Sequence, residues 1–204
     1  MIDVTWKDTV ILVDADYVDK VAFDLIVNFE RMIGRRIPQA DMARWIECVA
    51  LDGGMRPIAD TQQPTSDTQQ PASTTQVVLL HTKERMDNFL PGAFADLDGR
   101  AFAGPLGEFL ISCVPVEELV TMDDLFADSL EVIANAAEVK RLVVVPGEAY
   151  IYNKVRASLQ AADPDKHVTV LAMQPLTGGN CRQELLGYSL MAALGIRGEE
   201  IKAE

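Results

Sequence analysis

Along this chain, short unbroken apolar runs alternate with stretches whose apolar residues recur every three or four positions. The first run, Thr9-Val10-Ile11-Leu12-Val13, ends in Asp14-Ala15-Asp16. A continuous apolar run this short fits a strand buried on both faces in the middle of a parallel sheet. From Asp19 to Ile33 the apolar residues Val21, Ala22, Leu25, Ile26, Phe29, Met32 and Ile33 form one stripe. That spacing predicts an amphipathic helix, ended by Gly34-Arg35-Arg36. Pro38 suits the first turn of a second helix, whose stripe is Met42, Trp45, Ile46, Val49 and Ala50, with Gly53-Gly54 beyond its end. Four further runs, at 76–82, 109–114, 140–146 and 167–173, read as strands. Thr121 and Asp124 have capping-box spacing at the head of a third helix, with Asp in place of Glu or Gln. A fourth helix covers about 151–161. Asn180 and Gln183 give a second capping box for a last helix. The stretch 83–107, rich in Gly, Pro, Asp and Phe, reads as irregular with at most a short helix.

Five apolar strands alternating with helices predict one α/β domain over 1–204. Its expected architecture is three-layered and Rossmann-like, a mostly parallel five-stranded sheet flanked by helices. One segment breaks the pattern. Asp60-Thr-Gln-Gln-Pro-Thr-Ser66 is followed by the near copy Asp67-Thr-Gln-Gln-Pro-Ala-Ser73. It has no large apolar residue and cannot build a core, so 60–75 is expected to be a low-complexity flexible surface loop. Lengthening such a loop costs little, and deleting Thr61 to Ser73 is expected to change stability by no more than about 1 kcal/mol.

Composition narrows the classes. With 204 residues, 49% of them apolar and 24% charged, the chain can bury a sizeable core as an ordinary soluble protein. No apolar run approaches a bilayer span and no signal peptide is legible, so no membrane role is expected. Cys48, Cys113 and Cys181 show no paired spacing, which predicts reduced thiols and a cytoplasmic setting. A net charge of −13 opposes general binding to nucleic acid.

The candidate chemistry lies at predicted strand ends and helix starts: Asp14 and Asp16, then Asp123, Asp124 and Asp128, then Glu148. In open α/β sheets ligands bind outside the carboxyl ends of the strands. If the strands are parallel neighbours, these carboxylates converge on one edge, and an all-oxygen cluster suits Mg²⁺ or Mn²⁺. The plainer reading is that Asp14, Asp16, Asp123 and Asp124 cap helices or complement their dipoles, and Glu148 with them.

The run Val10-Ile-Leu-Val-Asp-Ala-Asp16, then Met122-Asp-Asp-Leu-Phe-Ala-Asp128, then Leu142-Val-Val-Val-Pro-Gly-Glu-Ala-Tyr150 resembles the NYN branch of the PIN-like nucleases. Where that family has Ser-Gly-Asp-x-Asp-Phe, this chain has Pro146-Gly147-Glu148-Ala149-Tyr150-Ile151. The resemblance implies a PIN-like fold and a divalent-metal-dependent RNA phosphodiesterase. Asp14, Asp124 (or Asp123) and Glu148 would be its metal ligands, and Asp16 would position the metal or the water. Arg35, Arg36, Lys154 and Arg156 are the nearest candidates for a basic path to RNA. A catalytically inactive relative, serving as a binding or scaffold protein for a protein partner, is the second expectation. Asp14-Ala-Asp16-Tyr-Val18 also resembles the opening of haloacid-dehalogenase-like phosphotransferases, which would make Asp14 a nucleophile, Asp16 an acid/base, Thr82 the end of the second motif strand and Glu148 a metal ligand.

Overall fold

The computed structural model describes residues 5–57, 73–148, 151–160, 162–176, 178 and 181–201. In chain order the elements are β1 Thr9–Asp14, α1 Ala15–Ile33, β2 Ala40–Asp41, α2 Met42–Asp52, β3 Thr74–His81, β4 Phe89–Leu90, α3 Phe94–Leu97 and β5 Ala101–Gly104. They continue with β6 Gly107–Pro115, α4 Met122–Asn135, β7 Arg141–Val145, α5 Tyr152–Gln160, β8 His167–Ala172, β9 Arg182–Leu185 and α6 Leu186–Ala193. The fold is α/β, with a seven-stranded sheet in the order β5-β6-β3-β1-β7-β8-β9. Six strands are parallel and only β5 runs antiparallel, against β6.

The five expected strands are all present, and β1 lies at the centre, hydrogen-bonded to β3 on one side and β7 on the other. The count of five is corrected to seven. β5 (Ala-Phe-Ala-Gly) lies in the stretch read as irregular, and it pairs with β6 through the two-residue turn Pro105-Leu106. β9 (Arg-Gln-Glu-Leu) lies where the last helix was expected to begin. Both are four-residue edge strands with no continuous apolar run, so they lack the buried-strand signal. Gln183 therefore caps no helix. Its side chain exchanges hydrogen bonds with the backbone of Leu176, at 2.9 and 3.1 Å, and Asn180 lies outside the described residues.

Two other boundaries move. The first helix begins at Ala15 rather than Asp19, and the second at Met42, where Asp41 and not the Pro38 turn supplies the N-cap to Arg44 N at 2.7 Å. Of the repeat segment, 60–72 lies outside the described residues, while Thr74 and Thr75 belong to β3.

Alternation along the strands builds the layers. Ile11 and Val13 of β1 join Val77, Leu79, Val143 and Val145 in a core cluster with α1, α2 and α6. Val10 and Leu12 join Val78, Leu80, Leu142 and Val144 in a second cluster with α4 and α5. Period-2 side chains on a sheet covered on both faces require this division. All six residues of β1 are buried.

Candidate functional site

Counting only the parallel strands in chain order, the sheet reads third, second, first, fourth, fifth, sixth. That is the order of doubly wound sheets, whose ligands bind at the carboxyl edge where the direction of winding reverses. Here the reversal lies between β1 and β7, and the acids of the first motif stand at that point. The topology therefore puts the β1 tip, the head of α1, the head of α4 and the turn after β7 along one edge.

Asp14 ends β1 and is the N-cap of α1, its Oδ1 accepting from Tyr17 N at 3.0 Å. It is 6% exposed. Burial pushes its carboxyl up to about 6; the Tyr17 hydrogen bond opposes this, and the charges of Asp16 and Asp123 add to it. Its Oδ2 faces Gly147, where a Cβ would stand only 2.6 Å away. The Pro-Gly-Glu turn after β7 can pass the Asp14 carboxyl this closely because residue 147 has no side chain.

The other acids have their own partners. Asp16 Oδ2 accepts from Thr82 N at 2.9 Å and from the Thr82 hydroxyl, which ties the start of α1 to the end of β3. Its Oδ1 is buried and has no hydrogen-bond partner among the described residues. Asp124 accepts from Lys154 Nζ at 2.8 Å and from the Thr121 hydroxyl at 2.7 Å; these contacts, with the Lys154 charge, hold its carboxyl below the usual range. Thr121 caps α4 as expected, its Oγ accepting from Asp124 N at 3.2 Å. Glu148 pairs with Lys20 at 2.7 Å, a contact in which both side chains are about half exposed.

The structure thus brings Asp14, Asp16 and Asp123 within electrostatic reach and sets Glu148 beside Tyr17 and Tyr152. Burial, then the charges of Tyr152, Glu148 and Asp14, pushes the Tyr17 hydroxyl up to about 12. Asp128 lies near the Lys154 end of the cluster. Among the described residues, no group of three or more His, Cys, Asp or Glu side chains is placed to hold a metal ion. Asp14, Asp124 and Glu148 are all described, and they form no such group.

Of the residues expected to form a basic path, Lys154 stands beside the acids. Arg35 follows α1 at its far end, 19 helical residues from the carboxyl edge, and pairs with Glu200 at 2.7 Å. Lys154 is spent on Asp124.

Sequence reasoning passed over Asp19, Tyr17, Lys20 and Gly147. Asp19 is 4% exposed and accepts from Asn88 N at 2.8 Å and Asn88 Nδ2 at 3.1 Å, so it anchors the loop after β3 to α1. Tyr17 follows Asp14 by three residues and Lys20 follows Tyr17 by three, spacings that carry a signal once α1 is known to start at Ala15.

The fold and edge define an α/β protein of the doubly wound kind. The family model of DUF6621, a family of unknown function, matches residues 3–201, and the chain belongs to that family. No curated protein and no solved structure matches it. No helix among the described residues is long and apolar enough to cross a membrane.

Proposed function

We propose that this protein is a catalytically inactive, PIN-like binding or scaffold protein, in which the acids of the carboxyl edge are engaged by partners within the fold instead of by a metal. One observation carries the reading: each carboxylate that the nuclease resemblance assigns to the metal has another task. Asp14 caps α1 in a buried site, Asp124 pairs with Lys154, and Glu148 pairs with Lys20. Phosphodiester hydrolysis at a divalent centre needs those oxygens free to coordinate. The net charge of −13 adds an unfavourable field for RNA.

Thermal unfolding with millimolar Mn²⁺ or Mg²⁺, on the wild type and on Asp14→Asn, tests this. A ligand at about 100 times its dissociation constant adds roughly 2.7 kcal/mol. For a chain of this size that raises the melting temperature by roughly 5–10 °C. The expected result is no shift in either protein and no metal-dependent RNA cleavage. A rise of that size in the wild type, abolished in Asp14→Asn, restores the nuclease reading.

A further inference from the structure

The strands β8 and β9 are parallel neighbours, yet the described residues of their connection, within 173–181, form no helix. Parallel strands are usually joined by a crossover helix that covers the sheet. On this face α5 shares a core cluster with β7 and β8, and a recess lies between α5, β8 and the described residues of the connection. A cavity of about 890 Å³ occupies it, within the range of pockets that enclose small organic ligands. Its floor and one wall are apolar, made by Val155 and Leu159 of α5, Val168 and Val170 of β8, and Leu176.

The rim has the opposite charge to the protein. Among the described residues, four Lys and Arg side chains line the cavity, against one Asp or Glu. The four are Arg141, Arg156, Lys166 and Arg182, with Asp163 the lone carboxylate. Arg141 and Arg182 open β7 and β9, and both guanidinium groups crowd Gly54, where a Cβ would lie 3.0 Å from one and 3.3 Å from the other. Arg182 is balanced by Glu184 at 2.8 Å and faces Asp52 as well. Arg141 donates to the carbonyl of Gly53 at 2.7 Å, and Lys166 to that of Ala136. Those carbonyls terminate α2 and α4, so the bonds fix both cations without removing a full unit of charge. A half-buried cationic rim over an apolar floor concentrates field on an anion inside it.

We propose that this cavity binds a small phosphorylated molecule with an aromatic body, a nucleoside diphosphate being the class it fits. The phosphates meet Arg156 and Lys166 in charge-assisted hydrogen bonds, and the base lies on the valine and leucine floor. The site shares Tyr152 with the Asp14 edge and otherwise lies apart from it, and it does not depend on how that edge is read.

Calorimetric titration with ADP in EDTA tests it, with inorganic phosphate and adenosine as the two part-ligands. Saturable ADP binding is expected, with Asp14→Asn indistinguishable from wild type. Losing one charge-assisted contact raises the dissociation constant about tenfold or more, so Arg156→Glu and Lys166→Glu should each do so. Arg156→Lys, which keeps the charge, should retain binding and guards against a folding artefact. Absence of ADP binding overturns the proposal, as does binding that both charge reversals leave intact. So does adenosine or phosphate binding as tightly as ADP, or loss of ADP binding in Asp14→Asn.

Discussion

Replacing Asp14 by Asn should stabilise the protein at neutral pH, and the gain should vanish in acid. The carboxyl titrates near 6 in the folded chain, against about 3.9 when unfolded. The folded state therefore holds the proton more tightly. Below the unfolded value Asp14 is protonated in both states and costs nothing. As the pH rises through that window the folded state must either keep a proton the solvent no longer supplies or bury a charge. The cost is complete above 6. Two units at about 1.4 kcal/mol each give a penalty of about 3 kcal/mol at pH 7.5.

Asn keeps the neutral shape and caps a helix about as well as Asp. It gives up part of the attraction between the anion and the head of α1, about 0.3–1 kcal/mol. The net gain expected is about 2 kcal/mol, a rise in melting temperature of roughly 4–8 °C. Urea unfolding of both proteins at pH 4, 5, 6 and 7.5 measures it, the difference growing from near zero at the acid end. A variant less stable than wild type at pH 7.5 would refute the reasoning, as would a difference that is constant with pH.

Gly147→Ala should destabilise by about 1–3 kcal/mol, because its methyl would lie 2.6 Å from Asp14 Oδ2. Adding Asp14→Ala should recover part of that loss, and a double-mutant cycle in urea that came out additive would remove the contact from the argument. Asp19→Ala leaves the half-buried Asn88 N–H without its acceptor, while Asn88 Nδ2 keeps the Asp19 carbonyl at 3.2 Å, and should cost about 1–3 kcal/mol, read from the urea midpoint. Lys154→Ala, by contrast, breaks a solvent-exposed pair and should leave the midpoint close to wild type.

Much of this molecule is set by local pattern. The run Val10-Ile11-Leu12-Val13 has to be buried on both faces, and once it is, it can only be an interior strand; the same holds for Val77–Leu80 and Leu142–Val145. The helical stripes behind them fix the layers, and Thr121 caps α4 because a hydroxyl at that spacing can reach the free N–H three residues on. The sequence likewise determines that acids follow the first strand. What those acids do was decided by the tertiary structure. The burial that lifts Asp14 towards neutrality comes from β3, β7 and Gly147 closing around it, and Gly147 is 133 residues distant in the chain. The lysines that occupy Glu148 and Asp124 come from α1 and α5, partners that no periodicity announces. The edge strands β5 and β9 exist because a neighbouring strand offers free backbone groups, and four polar or small residues carry no trace of that offer. The cavity beside β9 is likewise a product of the fold: apolar side chains of α5 and β8 line it, and the cations at its rim are brought together from β7, α5, β9 and the turn before β8.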